Sequence, residues 1–233
     1  EILLADDNFT SIVATLREDH TVYNNLVKVI TWTLPTNGGE AFTFVLAILL
    51  GMTLSITPIQ ILWINMITAV TLGLTLAFEP TEANAMRRPA RPVNQKLLSG
   101  RLLWRIVFVS ALMVAGTFGS YFWALQQSLP VEVARTMAVN TMVVMEIFYL
   151  FSVRYVHGTS LTWQGALGTR PVLIGVAVVV LAQFAFTYLP PMQALFGSRP
   201  LSFFNGLAIV AVGAGLLLVV EFEKRLAARI ARR

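Results

Sequence analysis

Six apolar blocks of about twenty residues each, separated by polar segments, dominate this sequence. They lie near 28–51, 58–78, 102–126, 136–154, 171–190 and 201–220. About 20 residues of α-helix cross the ~30 Å hydrocarbon layer of a bilayer. Backbone groups in lipid must pair within the segment, so each block is expected to be helical. Only 12% of the 233 residues are charged, against 56% hydrophobic, where a soluble domain carries roughly 25% charged. Mean hydropathy is +0.71. The expected fold is an all-α membrane protein of six transmembrane helices in three hairpins, with short outer and longer inner connections.

The distribution of Lys and Arg orients the bundle. One side holds Arg17, Lys28, Arg87, Arg88, Arg91, Lys96, Arg101, Arg105, Arg154 and Arg170, with Lys224, Arg225, Arg229, Arg232 and Arg233 in the tail. The other side has Arg135 and Arg199. The first side is expected to be cytoplasmic, with both termini inside and the chain in the plasma (inner) membrane. The basic tail suits either contact with anionic headgroups or a plain stop-transfer anchor. A net charge of +5 does not signal nucleic acid here, because the positive residues flank apolar blocks rather than forming a basic face. The absence of cysteine removes disulfides and thiolate metal sites.

Domain organisation follows the same pattern. Residues 1–27 are polar, with a helix start at Asp6, Asp7 and Asn8 and helical spacing of Ile12, Val13 and Leu16. They are too short to fold alone. Residues 28–78 form a first hairpin. Residues 79–101 are a Pro- and Arg-rich loop in which no helix is expected. Residues 102–220 give four further helices, and 221–233 a basic tail. No internal repeat is visible. A chain that starts with Glu1 rather than Met reads as a piece of something longer.

Charges inside spans are costly and mark function. Two acids sit near mid-span, Glu40 and Glu146, while Glu79 lies at a span end and is expected to reach water. In TLPTNGGEAF (33–42), Asn37 and Glu40 are three apart and share a helix face. Pro35 removes a backbone donor, and Gly38 and Gly39 weaken the helix and admit a close neighbour. A hinge with a small-residue packing face is the alternative reading of this stretch. In the second block, Asn65 and Thr68 are again three apart, with Gln60 nearer the outer end. Thr68 alone is explained equally well by a bond to its own helix backbone. In the fourth block, Asn140 lies nearly two turns before Glu146, among Met137, Met142 and Met145. These thioethers read as packing, since sulfur prefers soft metals. Two carboxylates, amide oxygens and a hydroxyl make a set for a hard cation; spacing alone does not separate Ca²⁺ from Na⁺, K⁺ or a proton relay. There is no P-loop and no His/Asp/Ser cluster, and His20 and His157 read as solvated bystanders.

Four segments in order, ADDNFTSIVATLREDHTVYNNL, TNGGE, PIQILWINMIT and FEPTEANAMRRPARP, resemble the C-terminal part of P-type cation-transporting ATPases, most nearly the calcium-pump-like class. The resemblance implies that residues 1–27 end the phosphorylation domain and form a cytoplasmic stalk. The six spans would be helices five to ten of a ten-helix pump. Asn37 and Glu40 match the family's ion ligands in helix five, Asn65 and Thr68 those in helix six, and Glu146 the acid of helix eight. One position departs: Ala69 stands where calcium pumps carry an aspartate that serves both ion sites, so an ordinary two-calcium site is not expected. The resemblance further implies that ATP and Mg²⁺ act on domains outside this chain, which binds no cofactor itself and neither hydrolyses ATP nor pumps alone. Its partners would be the transported hard cation, the bilayer and the remaining domains of the same pump. The competing readings are a self-contained six-helix channel or secondary carrier, for which inverted repeats are lacking, and an accessory subunit, which leaves Glu40 and Glu146 unexplained.

Overall fold

The computed structural model describes residues 9–80, 100–154 and 169–230. The expected helix start at Asp6–Asn8, the bulk of the 79–101 loop, and His157 fall outside these. Helix α1 runs Phe9–Leu49, followed by α2 (Pro58–Thr68), a π-helical turn (Ala69–Gly73) and α3 (Leu74–Ala77). Then come α4 (Gly100–Gln126), α5 (Val131–Val153), α6 (Arg170–Tyr188), a short α7 (Pro190–Phe196) and α8 (Phe203–Ile230). The described residues contain no strand.

Among the described residues, five helical rods are long and apolar enough to cross a membrane: Pro58–Ala77, Gly100–Gln126, Val131–Val153, Arg170–Tyr188 and Phe203–Ala227. The sixth expected span, 28–51, lies within α1. Its Lys28, Asn37, Glu40 and paired glycines dilute the apolar signal and keep it outside that set. At ~1.5 Å per residue, a helix of this length is roughly 60 Å long, about twice the hydrocarbon thickness. It passes without a break through the boundary expected at 27–28. Pro35 sits inside it without ending it. Gly51, in the left-handed region at φ +62°, closes the helix and lets Met52 N–H reach back to the Ala47 carbonyl at 2.9 Å.

Helix α5 is the axis of the bundle. Ala134, Met137, Val139, Met142, Met145 and Tyr149 are all buried, so the methionines pack, in line with their reading from the sequence. Small residues bring its neighbours in. A Cβ on Gly116 of α4 would lie 2.6 Å from Met145 Sδ, and one on Gly213 of α8 would lie 2.6 Å from the Phe148 ring. Large apolar side chains such as Phe42, Leu62, Met66, Val107, Leu181 and Leu218 point outward instead, as expected for a bundle whose solvent is hydrocarbon.

One expectation is corrected. Glu79 is 7% exposed and does not open to water. Its carboxylate takes Arg154 Nε at 2.7 Å and Thr169 Oγ1 at 3.0 Å. The Asn25 amide of α1 binds its carbonyl at 2.8 Å. Span-end position says nothing about neighbours, and here residues from three other elements close over the group. Helix α8 runs beyond the last apolar block into the basic tail, to Ile230, and Glu221 is buried there. Its carboxylate accepts from Ser152 Oγ at 2.8 Å and Lys224 Nζ at 2.7 Å.

Candidate cation site

The site is built where α1, α2 and α5 meet. Glu40 projects from α1 just beyond Gly38–Gly39 and is 4% exposed. The glycines are there because α4 crosses at this level. A Cβ on Gly39 would come within 2.8 Å of Met113 Cβ, and Ser110 Oγ donates to the Pro35 carbonyl at 2.9 Å. The Asn65 amide of α2 donates to the Glu40 carboxylate and to its own Ile61 carbonyl at 3.2 Å. Thr68, one turn further and buried, donates to Ile64 O at 3.0 Å. That is the local bond the sequence allowed, and it leaves the hydroxyl's lone pairs free to accept.

Glu146 arrives from α5, fully buried. Its carboxyl adjoins that of Glu40 and the Thr68 hydroxyl. Neither of its oxygens has a well-formed hydrogen bond among the described residues. A buried carboxylate without donors is costly, and two adjoining carboxylates repel. Asn37 is exposed on the α1 surface. With Glu40, Ala41, Phe44, Ile61 and Asn65 it lines a cleft of about 370 Å³ between α1 and α2. Asn37, Glu40 and Asn65 thus share one cleft, and Glu146, with Thr68 beside it, meets Glu40. Asn140 stands apart: its amide donates to Thr136 O at 2.8 Å and Thr187 Oγ1 at 3.1 Å, tying α5 to α6. Gln60 likewise serves the outer end, donating to the Phe196 carbonyl at 2.9 Å. No third His, Cys, Asp or Glu joins the carboxylate pair among the described residues.

Residues missed by sequence reasoning frame the site. Trp32 Nε1 donates to the Glu146 carbonyl at 3.2 Å, and Tyr149 Oη donates to the Thr31 carbonyl at 2.9 Å. The spacing of Tyr149 three residues after Glu146 is visible in the sequence, but its partner is not.

Residues 53–226 match the family described as "Cation transporting ATPase, C-terminus". This chain belongs to the P-type cation-transporting ATPases. It is 45% identical over 224 residues to the "Probable cation-transporting ATPase F" of Mycobacterium tuberculosis, covering 96% of this chain and 24% of that protein. It is 36% identical over 206 residues to the "Cation-transporting ATPase pma1" of Synechocystis sp., covering 86% of this chain and 23% of the relative. Similarity extends at 25% identity over 225 residues to the "Calcium-transporting ATPase 1" of Yarrowia lipolytica, covering 96% and 24%. The chain thus spans about a quarter of the length of these relatives. As the C-terminal membrane part of a P-type ATPase, it is an integral, multi-pass membrane protein.

Proposed function

We propose that this chain forms the ion-translocating part of an ATP-driven pump for a hard cation, and that Glu40, Glu146, Asn65, Thr68 and Asn37 hold the ion in transit. The observation that carries this reading is the pair of adjoining buried carboxyls on different helices, one of them lacking a well-formed hydrogen bond among the described residues. A cation between them removes their repulsion and fills the place of the missing hydrogen bonds. Two carboxylates balance one divalent ion. With Ala69 in place of a third acid, the site suits a single Ca²⁺ per cycle rather than two; a single Na⁺ or K⁺ leaves one negative charge uncompensated. Similarity to a relative named as calcium-transporting supports the same choice.

ATP hydrolysis, with Mg²⁺, belongs to domains outside these residues, so the chain alone turns over no ATP. The stalk part of α1 carries their motion into the membrane, both termini are cytoplasmic, and the pump sits in the plasma membrane. The test is ion-stimulated ATPase activity of the full-length protein across Ca²⁺, Na⁺, K⁺ and Mg²⁺. Stimulation by Ca²⁺ at micromolar levels supports the reading; activity indifferent to every added cation contradicts it.

A further inference from the structure

Pro35 has no backbone N–H, so the carbonyl of Thr31, four residues earlier, loses its helical donor. Inside a membrane such a carbonyl needs a substitute from a neighbouring element. The structure supplies one: the hydroxyl of Tyr149, fully buried on α5, donates to Thr31 O at 2.9 Å. One residue on, the donor runs the other way, from Trp32 Nε1 to the Glu146 carbonyl at 3.2 Å. Trp32 also packs against the π-turn, where a Cβ on Gly73 would lie 3.4 Å from its ring. Two opposed hydrogen bonds thus join adjacent residues of α1 to two positions one turn apart on α5, and one of those positions is Glu146. At Pro35 itself, Ser110 of α4 donates to the carbonyl at 2.9 Å. Glu40 stands nine residues beyond Thr31, so Pro35, where the helical ladder is interrupted, lies between the pinned segment and the acid. The course of the helix through Pro35 sets where the Glu40 carboxyl falls relative to Glu146.

We propose that Tyr149 is a positioning residue for the carboxylate pair, its hydroxyl replacing the hydrogen bond that Pro35 removes from α1. It touches no ion. It fixes the course of α1 at Pro35, and through it the geometry of Glu40 against Glu146. The claim about cation affinity rests on the pump reading above; the claim about the hydrogen bond does not.

A double-mutant cycle of Tyr149→Phe and Pro35→Ala in the full-length protein separates the two. Pro35→Ala restores the N–H that the Thr31 carbonyl lacks, so the tyrosine hydroxyl becomes redundant in that background. The first readout is thermal unfolding in detergent micelles. Tyr149→Phe lowers Tm when Pro35 is present and leaves it nearly unchanged in the Pro35→Ala background. The second is the Ca²⁺ concentration for half-maximal phosphorylation from ATP. Tyr149→Phe raises it about fivefold to tenfold with Pro35, the ratio for one buried hydrogen bond, and by less than about twofold in the Pro35→Ala background. Additive effects in both readouts overturn the proposal. Coupling in Tm with no coupling in Ca²⁺ dependence reduces Tyr149 to a brace and also overturns it. A wild-type protein with no cation response counts against the pump reading instead, and the unfolding cycle then decides the hydrogen-bond claim.

Discussion

At the scale of single residues, the two buried acids are held very differently. Glu40 receives the Asn65 amide, whereas the oxygens of Glu146 lack a well-formed donor among the described residues. Under the proposed function, Asn65→Ala is expected to free the Glu40 carboxylate and to weaken half-maximal Ca²⁺ activation of the full-length protein about tenfold or more, as for loss of a hydrogen bond to a charged group. A dose–response curve of Ca²⁺-stimulated ATP hydrolysis reads this directly. Glu79 is a structural counterpart away from the site. Glu79→Ala removes the carboxylate that Arg154 pairs with in a buried setting, so it costs about 3 kcal/mol or more and lowers Tm in detergent. The identities of the intramembrane acids were legible because a charged residue in an apolar block stands out. Their partners were not. Glu79 and Arg154 are separated by 75 residues, and Tyr149 and Thr31 by 118; spacing rules work within one helix and carry no information about register between helices.

At the scale of elements, helix existence was readable from block length, and helix ends less so. The block ending near 220 concealed Glu221, because apolar counting stops where charge begins, although Ser152 and Lys224 bury that charge. The π-turn at Ala69–Gly73 left no signature either. It widens the helix just after Thr68, at the position where the resembling pumps carry an acid, and such turns recur at functional sites. The tight crossing of α1 and α4 is the element-level feature most open to test. Gly39→Ala drives a methyl into Met113, and overpacking of this kind costs about 1–3 kcal/mol. Equal Tm for Gly39→Ala and the wild type contradicts the close crossing.

At the scale of the whole molecule, orientation and site geometry belong together, since an ion must enter from one face and leave by the other. These 233 residues hold no cysteine, so in a full-length protein whose other cysteines are replaced, single cysteines placed here report sidedness. Gln127→Cys, exposed after α4, reacts with a membrane-impermeant maleimide on intact cells; Arg229→Cys, exposed near the end of α8, reacts only after permeabilisation. The reverse pattern inverts the proposed topology. In the proposed pump, Glu40 and Glu146 share one transported cation. The sharpest check is phosphorylation of the full-length protein from ATP as a function of Ca²⁺, with Glu40→Gln and Glu146→Gln measured beside the wild type. Phosphoenzyme is expected to depend on Ca²⁺ in the wild type and to be missing at every Ca²⁺ concentration in either variant. Unchanged Ca²⁺ dependence in both variants means that the two acids hold no common ion.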